Sequence, residues 1–126
     1  MKKPDPAGAL AGVRVFVAED EFHVLQLMET MLAELGCTVC DSVATVTAAL
    51  TRAAATEAEV AVLDVNLRGK AIFPVARLLL GRGIPVVFST GYGVAGIEAE
   101  WKNCPVIQKP FPIERLEEAL KRLMSK

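Results

Sequence analysis

Five short apolar runs rich in β-branched residues alternate with longer stretches of helical spacing. This alternation constrains the fold more than any other feature of the chain. Residues 13–18, 37–41, 60–63, 85–89 and 106–108 read as strands. Leu25, Met28, Leu32 and Leu35 recur three or four residues apart, which predicts a helix over 22–35 that Gly36 ends as a C′ glycine. Residues 45–55, 71–80 and 113–124 read as further helices, the third of the four closed by the turn Gly81-Arg82-Gly83. The stretch 91–103 is Gly-rich and holds at most a short helix around 97–101. Strict βα alternation predicts an α/β fold with a parallel sheet covered by helices on both faces. The strands are nearly continuous apolar runs, as doubly covered strands must be.

The length of 126 residues fits one domain, large enough to bury its own core. Residues 1–11 read as a flexible lead-in and 12–126 as the domain. A hydrophobic content of 52% argues against a disordered chain, and a formal net charge of −1 offers no pull toward nucleic acid or an anionic membrane. No apolar stretch is long enough for a signal segment or a membrane span, and the three cysteines fit a reducing, cytoplasmic setting. Cys37 and Cys40 match the spacing C-x-x-C, but they fall in a predicted strand, where residues three apart face opposite ways. No second pair completes a zinc site, so neither a redox nor a zinc role is expected.

In open parallel sheets, function sits at the carboxyl ends of the strands. The first strand ends in Glu19-Asp20-Glu21, the third in Asp64 with Val65-Asn66 behind it, the fourth in Ser89-Thr90, and the fifth in Gln108-Lys109-Pro110. With the strands in the order 2-1-3-4-5, these ends bring three carboxylates, a hydroxyl and an ammonium into one crevice. Clustered carboxylates repel unless a cation joins them, and an oxygen-only donor set suits Mg²⁺. A carboxylate beside such a metal can attack a phosphoryl group, whose oxygens the ammonium and hydroxyl would help to neutralise. Plainer readings exist for each residue alone. Asp64 serves equally as a helix cap, the acids 19–21 suit the start of a helix, and Thr90 suits a turn.

Together, Glu19-Asp20, Asp64, Thr90 and Lys109-Pro110-Phe111, each at a strand end and in this order, resemble the response-regulator receiver family of the chemotaxis type. The resemblance covers about residues 12–126. It implies a flavodoxin-like, doubly wound five-stranded parallel sheet and a domain that accepts phosphate from a sensor histidine kinase or a histidine phosphotransfer protein. Asp64 would be the phosphoacceptor, with Thr90 and Lys109 acting on the phosphoryl group. Asp20 and Asp64 would bind Mg²⁺, Glu19 directly or through water, and Asn66 through its backbone carbonyl. The Lys109–Pro110 peptide would be cis. The stretch 85–93, with Ser89 where alanine is typical, resembles the FATGUY group, mostly single-domain receivers of alphaproteobacteria, several tied to general stress signalling. No output domain follows Lys126, so output is expected to pass through another protein, unless the domain serves as a phosphate sink.

Two departures from the common receiver pattern stand out. Val106 occupies the place of the usual switch aromatic, and a valine has no ring to swing; Tyr92 and Phe88 are the aromatics nearby. The segment between Thr90 and Lys109 is short, so the fourth helix is expected to be short or irregular, and ordered by phosphorylation. Tyr92, two residues past Thr90, would tune access of hydrolytic water. His23 reads as a surface residue, and Trp101 as a cover for apolar surface, or a partner contact if exposed. A phosphatase of the haloacid-dehalogenase type also uses a strand-end aspartate and Mg²⁺. It needs a second acid where this chain has Asn66, so a turnover enzyme is not expected. A pseudo-receiver that folds but is not phosphorylated is the remaining alternative.

Overall fold

The computed structural model describes residues 9–91 and 97–124. Its parallel sheet contains β1 (Arg14–Ala18), β2 (Thr38–Val43), β3 (Val60–Asp64), β6 (Val86–Thr90) and β7 (Val106–Gln108). The strand order is β2-β1-β3-β6-β7, the doubly wound order expected of the flavodoxin-like class. Helices α1 (Phe22–Glu34), α2 (Val46–Ala53), α3 (Phe73–Gly81) and α4 (Ile113–Met124) cover the sheet. A small antiparallel pair, β4 (Asn66–Leu67) and β5 (Lys70–Ala71), lies between β3 and α3.

The pleat divides the core in two. Val15, Val17, Val60, Val62, Val87 and Ile107 face one side with Met28, Leu32, Leu116 and Leu120 of α1 and α4. Phe16, Ala18, Ala61, Leu63, Val86 and Phe88 face the other, with Ala49 and Ala53 of α2 and Val75, Ala76 and Leu79 of α3. Ala49 and Ala53 are fully buried, and their small side chains let α2 lie close to the sheet.

Helix α1 ends as its sequence predicts. Gly36 has φ +90°, its N–H donates to the Ala33 carbonyl, and the Cys37 N–H donates to that of Leu32. This double bond pattern satisfies two orphan carbonyls and needs a left-handed residue at Gly36. The Gly36 carbonyl in turn accepts from Gly12, and Leu10 is buried in the α1–α4 core. Packing therefore reaches back into the predicted lead-in.

Several boundaries differ from the sequence reading. Strand β2 starts at Thr38 and runs on to Val43, leaving Cys37 buried just before it and Cys40 exposed within it. Both thiols are free, and burial pushes that of Cys37 up to about 11. Helix α3 starts at Phe73, not at residue 71, because the chain first turns back on itself. Arg68 (φ 52°) and Gly69 (φ 83°) form the corner, and Asn66 Oδ1 accepts from the Gly69 N–H at 2.8 Å. The expected short fourth helix is one 3-10 turn, Ala99–Trp101. No helix among the described residues is long and apolar enough to cross a membrane.

Candidate functional site

The same pleat that sorts the core aims the polar residues. Glu19 lies two residues past Val17, Asp64 two past Val62, Ser89 two past Val87 and Lys109 two past Ile107. Each follows a residue of the α1–α4 face, so all four side chains project from that face at the carboxyl edge. The ladders persist this far: the Glu19 N–H donates to Val43, and the Lys109 N–H donates to the Thr90 carbonyl at 2.8 Å. The Lys109–Pro110 peptide is cis.

Lys109 Nζ lies 3.0 Å from Asp64 Oδ2 and 3.3 Å from Glu19 Oε1. Asp64 Oδ1 accepts from the Asn66 N–H at 3.2 Å, and Glu19 Oε2 from the Glu21 N–H at 3.0 Å. Asp20 Oδ2 accepts from the Arg68 N–H at 2.8 Å, so the β4–β5 corner fixes this carboxylate. One carboxylate oxygen from each of Glu19, Asp20 and Asp64 lies within 4.8 Å of the others. Oxygens sharing one octahedral Mg²⁺ sit about 3–4 Å apart, so small adjustments bring this trio around the ion. The Asn66 backbone carbonyl is on the adjoining segment. The Asn66 side chain is engaged in the β4–β5 corner and offers no carboxyl acid.

Burial raises the pKa of Glu19 above its ordinary value, and the charge of Asp64 adds to the rise. The Glu21 N–H and the Lys109 ammonium act in the opposite sense. For Lys109, burial works to lower the pKa, but the hydrogen bond and charge of Asp64, with those of Glu19, outweigh it and the net shift is upward. The ammonium therefore stays charged and is the cation that holds the two carboxylates together.

Removing it should be costly. Lys109→Met would leave two buried carboxylates unpaired, with an expected loss of about 3 kcal/mol in unfolding free energy measured in EDTA. Without the ammonium, the Glu19 pKa rises further. A carboxyl with a raised folded pKa penalises the fold when ionised, so the deficit should be full well above the ordinary carboxylate range. It should shrink as pH falls through the folded pKa of Glu19. Denaturant titrations at several pH values check this, and a pH-independent deficit would contradict it.

Thr90 is buried at the end of β6. Val106 is half-buried and pairs in register with Phe88. Phe88 is locked on the opposite face of the sheet from Asp64, edge-on to Phe73 and Trp101 at 5.6 and 5.7 Å. Trp101 is buried, not exposed as a contact. Tyr92 lies outside the described residues. The sequence reading brought the acids, Thr90 and Lys109 to one edge but missed the β4–β5 corner. Its only signal was the Asn-Leu-Arg-Gly run.

Beside Lys109, an apolar groove of about 250 Å³ opens between α1 and the segment after β7, lined by Val24, Leu27, Met28, Met31, Pro110 and Phe111.

The sequence model of the response regulator receiver domain matches residues 15–121. Among solved structures, the chain is similar to SdrG from Sphingomonas melonis Fr1, with 37% identity over 92% of this chain and 98% of that one, at a TM-score of 0.80. The BeF3-activated conformation of SdrG from Pseudomonas melonis Fr1 is 36% identical over 90% of this chain and 98% of that one, at a TM-score of 0.77. The receiver domain of the response regulator PhyR from Erythrobacter litoralis is 24% identical over 94% of each chain, at a TM-score of 0.80, a likeness of fold alone. No curated protein sequence matches the chain significantly.

Proposed function

The chain belongs to the response regulator receiver domain family, and from that premise we propose that it is a phosphorylation-switched signalling module with Asp64 as the acceptor. The observation that carries the proposal is the Asp64 carboxylate, 3.0 Å from the Lys109 ammonium and grouped with Glu19 and Asp20 at the strand edge.

In this reading, Asp64 attacks the phosphorus of a phosphohistidine on a sensor histidine kinase or phosphotransfer protein. The new P–O bond forms as the P–N bond breaks, and its electron pair returns to the imidazole. Mg²⁺, when bound by Glu19, Asp20, Asp64 and the Asn66 carbonyl, would offset the charge of the phosphoryl oxygens. Lys109 follows the charge from the carboxylate to the phosphoryl group, and Thr90 offers its hydroxyl. Donor proteins have an apolar groove beside Lys109 on which to dock. Similarity to SdrG, solved in a BeF3-activated conformation, supports a switch of this kind. Output passes to a partner protein, or the domain drains phosphate from its donor.

The test is transfer of labelled phosphate from a histidine kinase or acetyl phosphate. Label should appear in Mg²⁺, vanish in EDTA and be released by alkali and hydroxylamine, as an acyl phosphate is. A chain that takes no label under any of these donors is a pseudo-receiver.

A further inference from the structure

Ser89 is fully buried, and its Oγ has no hydrogen-bond partner among the described residues. A buried hydroxyl without a protein partner needs an explanation. Register places Ser89 beside Asp64 on one flank and Ile107 on the other. Its side chain shares their face, as paired residues in a sheet do. Strand β6 also separates β7 from β3. The ion pair from Lys109 to Asp64 must therefore cross the end of β6, where Ser89 sits.

We propose that Ser89 assists loss of the phosphoryl group directly, its hydroxyl donating to the Asp64 carboxyl once Lys109 has left it. The inference rests on Asp64 being the phosphoacceptor. At rest, Asp64 Oδ2 accepts from Lys109 and Oδ1 from the Asn66 N–H. Formation of the acyl phosphate turns one carboxyl oxygen into the P–O bridge and draws the ammonium to the phosphoryl oxygens. Hydrolysis then has water attack phosphorus while the P–O bond to Asp64 breaks. The electron pair of that bond returns to the carboxyl, and the proton lost by water goes to solvent or phosphate. Negative charge grows on Asp64 in this step, while Lys109 is engaged elsewhere. A buried donor on the register neighbour of Asp64 needs only to turn toward that carboxyl to stabilise the growing charge. At rest the same hydroxyl has no protein partner among the described residues.

Decay of label from wild type, Ser89→Ala and Ser89→Thr in Mg²⁺ tests the proposal, together with thermal unfolding of the unphosphorylated proteins in EDTA. Ser89→Ala should lose phosphate about three- to tenfold more slowly, the worth of one hydrogen bond. Its resting melting temperature should stay level or rise, because an orphan hydroxyl is removed. Ser89→Thr keeps the hydroxyl on a residue suited to a strand and should restore the faster decay. Equal decay of wild type and Ser89→Ala overturns the inference and leaves Asp64 as acceptor. A lower melting temperature with unchanged decay also overturns it, since Ser89 then only fills space. No label on wild type overturns the acceptor reading itself.

Discussion

Asp64→Asn should take up no measurable label from a phosphorylated kinase or acetyl phosphate, a loss of more than about 100-fold, while keeping its fold. The amide has nearly the shape of the carboxylate and retains an oxygen for the Asn66 N–H, now 3.2 Å away. It lacks the negative charge that makes the oxygen a nucleophile, and it weakens the cluster that would hold a cation. Stability should change little, because two effects oppose each other. Lys109 loses its 3.0 Å partner but keeps Glu19 at 3.3 Å, and Glu19 is relieved of a neighbouring like charge. Label is counted after separation from the donor, and circular dichroism with thermal unfolding verifies the fold. Equal labelling of wild type and Asp64→Asn would remove Asp64 from its role.

The site was legible in the sequence because a parallel sheet leaves little choice. Once βα alternation is established, every strand presents its carboxyl end on one edge. Glu19, Asp20, Asp64, Thr90 and Lys109 were then neighbours by topology alone. Local backbone chemistry was harder to read. Arg68 takes a left-handed conformation that non-glycine residues seldom adopt, so nothing in its identity marked a corner. That corner delays α3 to Phe73 and supplies the N–H that fixes Asp20. Leu10 was assigned to the lead-in because residues 1–11 are rich in Pro, Gly and Ala, yet this leucine beside the Gly12–Gly36 bond is buried in the α1–α4 core. Trp101 was ambiguous for a related reason. A single 3-10 turn has no repeating face, so sequence spacing cannot say which way its one large residue points.

That direction matters for a large expected effect on stability. Trp101→Ala should lower the unfolding free energy by about 3 kcal/mol and the melting temperature by about 10 °C. Trp101 is 3% exposed. Its ring stacks on Phe73 at 5.2 Å, meets the edge of Phe88, and lies under the Arg77 guanidinium at 5.2 Å. Arg77 is held in turn by Glu100 at 3.1 Å. Large aromatic truncations cost about 3–5 kcal/mol. The lower end applies because the buried indole Nε1 has no hydrogen-bond partner among the described residues, and deleting it recovers part of the loss. Trp101→Phe separates these terms. It keeps a ring against Phe73 and removes the orphan N–H, so it should cost only about 1 kcal/mol. Denaturant unfolding of both variants, followed by circular dichroism, gives the comparison. If Trp101→Phe costs as much as Trp101→Ala, the stacked ring is not what holds the 3-10 turn against the sheet. If it costs far less, the aromatic cluster anchors the only regular structure described between Gly91 and β7. It does so through Phe88, two residues before Thr90 on its own strand and in register with Val106. A packed path from the strand edge that holds Asp64 to that segment then runs along β6 into the ring cluster, which a valine at 106 does not interrupt.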